Sequence, residues 1–311
     1  MDDKLKIYFY FVFGAMGGLT GWYLSASLLL GVVTLLEQAL FGAMVGAMIG
    51  LGIAAYEGFV TRSFIRLFKF GSIGLILGTV AGVIALPSSQ WLYSRLFKTI
   101  GVQSGGAFDW QAVAVGMLCW IVFGGFIGFI EGLSKGAQSF KGFMGGVLGG
   151  IVGGGIYELA RGWGLAYGAS VQQQFILALV LSILGGAIGA SVALVTVALK
   201  LAWIEVIDGK VAGRIYDVTK YVDPQLGLHK PGIIGSDEWR AHIYLPGDHK
   251  IQPAHATIGF ANGTPYFSVY PSVLKQADTL VNDRAVSDSV LNDGDRLQIG
   301  DTQLLYRQKR R

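Results

Sequence analysis

The polar side chains best suited to binding chemistry lie in the last third of this 311-residue chain, beside predicted turns. They carry hydroxyl, guanidinium, amide and imidazole groups, which hold ligands through hydrogen bonds and charge. The candidate ligand-binding residues are Ser236, Arg240, Gln252, His255, Thr279 and Asn282.

Patterns typical of catalysis are missing from the sequence. It has no glycine-rich phosphate loop, no His/Cys set with metal-ligand spacing and no convincing Ser–His–Asp arrangement. The single cysteine, Cys119, excludes a disulfide framework or a zinc cluster within one chain. We therefore expect a protein that is not an enzyme, with no catalytic residue, no cofactor and no metal.

The elements that must position the candidate residues are predicted strands. Residues 202–207 alternate in polarity, and Asp208-Gly209 then forms a predicted turn before a second strand-like run at 213–218. Asp293-Gly294 is another tight-turn signal, because glycine accepts a positive φ at little cost. These patterns predict an all-β sandwich over residues 202–311.

Four segments in this region, taken in order, resemble the forkhead-associated (FHA) domain, a family that reads phosphothreonine peptides. The segments are 231–236, 242–245, 252–255 and 279–282. The family has Gly-Arg at the end of the first segment, and here Gly235 is followed by Ser236. The family's Ser-x-x-His motif keeps only its histidine, as Gln252 and His255, and its peptide-fixing Asn falls at Ala277.

The resemblance implies an FHA-like fold whose phosphate-gripping Arg, Ser and Asn are replaced. Phosphate recognition relies on charge-assisted hydrogen bonds, usually from arginine. We therefore expect weak or absent phosphothreonine binding. Ser236 and Gln252 could still bind an unphosphorylated or acidic peptide, and Arg240 could reach the loop region. The alternative is that the domain docks on its own membrane part or on a second copy.

The rest of the chain has the composition of a membrane protein. The whole sequence is 52% hydrophobic and 14% charged, with a mean hydropathy of +0.53, whereas typical soluble domains are about 25% charged. A helix needs about 20 apolar residues to cross a bilayer. We predict a domain over 1–200 with six spans, at roughly 7–28, 36–57, 70–88, 112–132, 142–160 and 174–199.

The charge distribution predicts the orientation. Residues from Ala202 onward hold 13 basic and 13 acidic residues, so the excess of positive charge lies in the helical part and does not indicate nucleic acid. Eight Lys and Arg residues fall on the predicted side of both termini and three on the other. The positive-inside rule therefore predicts a multi-pass protein, with the cell membrane as the expected site and both termini in the cytoplasm.

Glycines recur at every fourth residue within the predicted spans. The rows are Gly42, Gly46 and Gly50; Gly74, Gly78 and Gly82; and Gly146, Gly150 and Gly154. They belong to an internal repeat of helical hairpins, about 36–88 and 112–160. Since glycine lets helix backbones approach closely in lipid, the rows predict a tightly packed bundle, a glycine-zipper homo-oligomer or a sliding helix pair.

Two matched acids suggest a further possibility. Glu57 and Glu131 occupy equivalent positions of the repeat, and we expect each to pair with a nearby base, Arg62 or Lys135. The alternative is an ion or proton site. The leading hypothesis is accordingly a membrane-anchored protein-interaction or signalling scaffold. The alternatives are a channel or transporter regulated by the FHA-like domain, and a structural oligomer.

Overall fold

The computed structural model describes residues 3–28, 34–100, 110–134, 139–163, 171–223, 230–261, 264–273 and 279–309. The chain forms two compact units, one over Lys4–Ala198 and one over Leu199–Arg311 together with Met1–Asp3. The first unit is helical and the second is mainly β.

Six long helices lie within the described part of the first region. They are α1 (Asp3–Leu28), α2 (Leu35–Thr61), α3 (Phe64–Ile100), α4 (Trp110–Ser134), α5 (Ser139–Gly162) and α6 (Val171–Ala198). Five of them contain segments long and apolar enough to cross a membrane: Leu35–Thr61, Phe64–Leu96, Trp110–Phe129, Phe140–Gly162 and Gln174–Ala198. Helix α1 is not among these five, so the predicted count of six spans stays a prediction.

Local signals in the sequence define the ends of α2. Thr34 and Glu37 form a capping box, in which the Thr34 hydroxyl accepts the Glu37 N–H at 3.2 Å and the Glu37 carboxylate accepts the Thr34 N–H at 2.7 Å. At the other end Arg62 adopts a left-handed conformation with φ of 50°. The side chains of Glu57 and Glu131 and all of Lys135 lie outside the described residues, so their predicted pairings stay predictions.

The glycine rows bring the helix backbones into direct contact. A Cβ on Gly78 would collide with the carbonyl oxygen of Gly46, and Gly42 and Gly50 approach Gly82 and Gly74 in the same way. Helices α4 and α5 repeat this contact, with Gly124 against the Gly146 carbonyl. These glycine rows therefore pack against other helices of the same chain.

A buried ion pair within α5 is hydrogen-bonded to α4, and sequence reasoning missed it. The carboxylate of Glu158, which is 4% exposed, accepts hydrogen bonds from Trp120 Nε1 at 3.0 Å and from Arg161 Nε at 2.5 Å. A side chain at Gly116 would collide with this carboxylate. Both charges are thus neutralised within the unit, as an ion pair removed from water requires.

The second unit is a sandwich of two sheets. Its strands are β1 (Ala202–Asp208), β2 (Ile215–Asp217), β3 (Gly232–Gly235), β4 (Ile243–Tyr244), β5 (Ala256–Ala261), β6 (Thr264–Val269), β7 (Thr279–Val281), β8 (Arg284–Ala285), β9 (Asp288–Val290), β10 (Arg296–Ile299) and β11 (Thr302–Gln308), and a short helix α7 (Thr219–Val222) follows β2. One sheet has the order β2-β1-β11-β10-β7-β8 and the other β4-β3-β5-β6-β9. The two sheets bury one hydrophobic core, which includes Ile204, Tyr306, Ile234 and Phe267.

The two ends of the sandwich differ in what they hold. At the attachment end, where the chain enters, Lys309 N–H donates to the Leu201 carbonyl at 2.8 Å and Gln308 N–H donates to Asp293 at 2.9 Å. The opposite end, termed the loop end, holds the β1–β2, β3–β4, β4–β5 and β10–β11 connections. There Asp248 accepts the Asp301 N–H at 2.7 Å, which joins the β4–β5 loop to the β10–β11 turn.

The glycine contacts generate a prediction about the helical unit. Gly78→Ala should lower the thermal unfolding midpoint of the full-length protein in detergent by several degrees, because the added methyl meets the Gly46 backbone and overpacking costs about 1–3 kcal/mol. Gly155→Ala is the matched control, since the nearest atom to its Cβ would be Met117 Cε at 3.6 Å. Equal midpoints for both variants would contradict the packing described here.

Candidate functional site

His255 is the central residue of the loop end. Its side chain is fully buried, and Nδ1 accepts the Gln252 N–H at 3.2 Å. The ring proton therefore lies on Nε2, which donates to the Thr279 hydroxyl at 2.8 Å. The backbone of His255 also bonds outward, since its N–H donates to Ile234 and its carbonyl accepts the Tyr270 N–H.

This arrangement makes His255 a brace between the two sheets. It connects the β4–β5 loop to the start of β7, which belongs to the opposite sheet. Thr279 is itself only 5% exposed. His255 and Thr279 therefore hold the loops in place from beneath and are too buried to contact a ligand directly.

Ser236 directly follows β3 and is turned toward the neighbouring loop. Its hydroxyl donates to the Ile251 carbonyl at 2.8 Å, and its N–H donates to the Gln252 carbonyl at 3.0 Å. The preceding Gly235 is required here, because a Cβ would collide with the Pro253 carbonyl. The glycine of the motif thus permits the close approach of two loops, while the Ser236 hydroxyl is used within the domain.

Arg240 and Gln252 are the accessible members of the predicted set at this end. Arg240 is exposed and Gln252 is half-buried. Within the part of the chain that the structure describes, no carboxylate pairs with the Arg240 guanidinium. Gln252 lies beside Ser236 through the backbone bond, and Arg240 follows on the adjoining β3–β4 turn.

Asn282 lies at the other end of β7 from Thr279. It begins a tight turn with Asp283, and both residues have positive φ, 50° and 64°. Its side chain donates to Asp295 at 2.9 Å and accepts the Arg296 N–H at 2.9 Å. The structure therefore separates Asn282 from the other predicted site residues and gives it a turn-forming contact at the attachment end.

The remaining parts of the predicted site fall on residues that are not described. Ala277, the position of the family's peptide-fixing Asn, and the turn at 262–263 lie outside the described residues. Sequence reasoning also missed the β3–β4 turn itself, where Asp237 Oδ1 accepts the N–H groups of Trp239 and Arg240. An aspartate followed by such a turn is a known local signal.

Comparison with known proteins identifies the domain. The FHA domain model matches residues 232–300. These residues are an FHA domain. The resemblance seen in the sequence is thereby confirmed for the C-terminal region, and the sandwich described above is its fold.

Solved FHA structures align with the same region of the chain. One, from a study of phosphothreonine-dependent FHA domain interactions, is 22% identical with a TM-score of 0.29 and covers 36% of this chain and 99% of its own. The FHA domain of CT664 protein from Chlamydia trachomatis is 21% identical with a TM-score of 0.29, covering 35% and 99%.

A longer alignment involves EmbR of Mycobacterium tuberculosis, solved in complex with a low affinity phosphopeptide. It is 12% identical with a TM-score of 0.28 and covers 85% of this chain and 72% of EmbR. No curated protein matches the chain.

The His255 brace generates a prediction for this site. Thr279→Val keeps the side-chain shape but leaves the buried Nε2–H of His255 without its acceptor, which should cost about 1–3 kcal/mol. Amide hydrogen exchange of residues 251–261 in the full-length protein in detergent should report this loss as faster local opening.

The matched control for this brace is Thr257→Val. Thr257 is half-exposed and makes only a 3.4 Å contact with the Ser268 carbonyl, so we expect a change within about 0.5 kcal/mol. Equal exchange rates in the two variants would show that the His255–Thr279 bond contributes nothing to the stability of the loops.

Proposed function

We propose that this chain is a membrane-anchored FHA-domain protein that gathers a cytoplasmic protein or peptide partner at the membrane, as an interaction or signalling scaffold. The observation that carries the proposal is an FHA domain placed directly after a series of apolar helices. Only three residues, Leu199–Leu201, separate α6 from β1.

The helical unit supports membrane anchoring by its length and composition. Five helices contain segments that meet the requirement for a span. The excess of Lys and Arg on the predicted side of both termini supports a cytoplasmic FHA domain. We propose that the lipid bilayer is the environment of the helices and that the glycine rows, arranged as two repeated hairpins, serve their mutual packing.

The loop end supports a binding role that differs from that of typical family members. Recognition of phosphorylated motifs by FHA domains belongs to a mode in which arginine grips the anionic group. The residue that follows Gly235 here is Ser236, whose hydroxyl donates a hydrogen bond to the Ile251 carbonyl. We therefore propose that family-typical phosphothreonine binding is weak or absent while binding of a protein partner is retained.

Other functions receive less support. The absence of catalytic patterns in the sequence favours a protein that is not an enzyme and binds no cofactor, and the balanced charge from Ala202 onward, with 13 basic and 13 acidic residues, does not favour nucleic-acid binding. The channel or transporter alternative rests on Glu57 and Glu131, whose side chains lie outside the described residues. A homo-oligomer through the glycine faces would need surfaces that the chain already uses in its own helix contacts.

The scaffold proposal predicts partners that depend on the loop end. Proximity labelling with the full-length protein in native membranes should identify proteins that are lost in the variant Arg240→Ala/Gln252→Ala. The control is Arg284→Ala/Arg296→Ala, which changes exposed residues elsewhere on the domain. Partner lists that are the same for wild type and the loop-end variant would overturn the scaffold role.

The loss of family-typical binding generates a separate prediction. Ser236→Arg/Gln252→Ser introduces the family's Arg and Ser while Ala277 stays unchanged, and it should raise the affinity of the full-length protein for phosphothreonine peptides at least about tenfold, because a charge-assisted bond is gained. The matched change Arg284→Lys should leave the affinity unaltered. A contrary result would be tight binding of phosphothreonine peptides by wild type and no higher affinity in the double variant. It would show that Ser236 and Gln252 do not limit phosphate recognition.

A further inference from the structure

The β3–β4 turn is built to present two side chains at the loop end. Asp237 Oδ1 accepts the N–H groups of Trp239 at 2.7 Å and Arg240 at 3.1 Å, and the Ala241 N–H donates to the Asp237 carbonyl at 3.0 Å. Three hydrogen bonds within five residues fix the backbone of the turn. Trp239, 55% exposed, and Arg240 project from it.

A second set of contacts fixes the turn to the sandwich. The Glu238 carboxylate accepts the Tyr244 hydroxyl at 2.9 Å, and Tyr244 ends β4. The Tyr244 carbonyl in turn accepts the Tyr216 hydroxyl at 2.5 Å, which connects β4 to β2 of the other sheet. The turn is therefore anchored to both sheets, and little entropy remains to be lost when a ligand binds to it.

The charged side chains of the turn differ in their partners within the domain. Asp237 and Glu238 both accept hydrogen bonds from groups of the same domain. Among the described residues, none offers the Arg240 guanidinium a carboxylate. Within the described residues the turn therefore presents a guanidinium that no carboxylate contacts, next to a large exposed aromatic ring. Tryptophan and arginine are the residue types most enriched where protein interfaces gain their binding energy.

The turn adjoins the β4–β5 loop at the loop end. The Ser236 N–H donates to the Gln252 carbonyl at 3.0 Å, so the turn and the β4–β5 loop adjoin. The Ser236 hydroxyl donates to the Ile251 carbonyl, and it is neutral, so it cannot form an ion pair with an anion. The nearest guanidinium along the chain is that of Arg240, four residues further on.

We propose that Trp239 and Arg240 bind an anionic segment of a partner protein, with Arg240 holding a carboxylate or phosphate and Trp239 packing on an adjacent apolar side chain. This inference rests on the proposed binding function of the loop end and moves its anion contact from residue 236 to residue 240. We favour a protein segment as the occupant, because an exposed tryptophan beside an arginine is the combination enriched where protein interfaces gain their binding energy.

The test uses the full-length protein in nanodiscs of zwitterionic lipid and three fluorescent peptide libraries with random flanks. The fixed central residue is threonine, phosphothreonine or glutamate. We expect tighter binding of the two anionic libraries than of the threonine library by fluorescence anisotropy. Arg240→Gln should weaken both anionic libraries at least about tenfold, the effect of one lost charge-assisted hydrogen bond. The affinities of wild type for the phosphothreonine and glutamate libraries, compared with each other, show which anion is preferred.

Further variants separate the roles of the two side chains. Trp239→Ala should weaken all three libraries, because it removes an apolar contact rather than a charge. Arg240→Lys should keep part of the anionic preference. Arg284→Gln makes the same charge change on β8 and should bind like wild type, and matching hydrogen-exchange protection of residues 251–261 in every variant shows that each is folded.

Each contrary result has a distinct meaning. Unchanged anionic binding by Arg240→Gln, or an equal loss in Arg284→Gln, overturns this inference and leaves the proposed scaffold role standing. Wild type that binds none of the libraries overturns this inference, and it overturns the scaffold role as well if proximity labelling also finds no partner that depends on the loop end. If anionic lipid displaces the peptides and this displacement requires Arg240, the turn binds a lipid headgroup. That result also overturns this inference.

Discussion

The hydrogen bond between His255 and Thr279 is the interaction on which the loop end depends. It joins the end of the β4–β5 loop, in one sheet, to the start of β7, in the other. Because both residues are buried, the bond forms in a low-dielectric setting where losing either partner is costly. This bond positions the loops that carry Ser236 and Gln252 without using the side chain of either residue.

A different constraint organises the helical unit. In the proposed membrane setting, lipid tails supply no hydrophobic drive between helices, so close contact between backbones holds them together. Gly46 and Gly78 satisfy this constraint between α2 and α3, and Gly124 and Gly146 do so between α4 and α5. Glycine permits the approach at each point, and any larger residue there would push the helices apart.

Periodic patterns were predictable from the sequence, and local hydrogen bonds were not. Spacing and motif order indicated the helices and the sandwich, whereas His255, grouped with the ligand-binding residues, is a buried brace. Asn282 was grouped with Thr279 because they are close in sequence, but a strand carries residues three apart to different ends of a sheet. The hydrogen bond from Trp120 to Glu158 was not predictable because the two residues are 38 positions apart. The Trp239–Arg240 turn depends on Asp237 Oδ1, which accepts the N–H groups of Trp239 and Arg240.

Ser236 stands where the resemblance to the FHA family places an arginine. Its hydroxyl donates to the Ile251 carbonyl and links the end of β3 to the β4–β5 loop, so it is used within the domain. In our proposal the positive charge that a ligand meets is instead that of Arg240, on a turn fixed by the hydrogen bonds of Asp237 and Glu238. The contact with an anion then lies beside the exposed ring of Trp239. A partner segment that offers an apolar side chain next to its anionic group should therefore bind there better than a free anion.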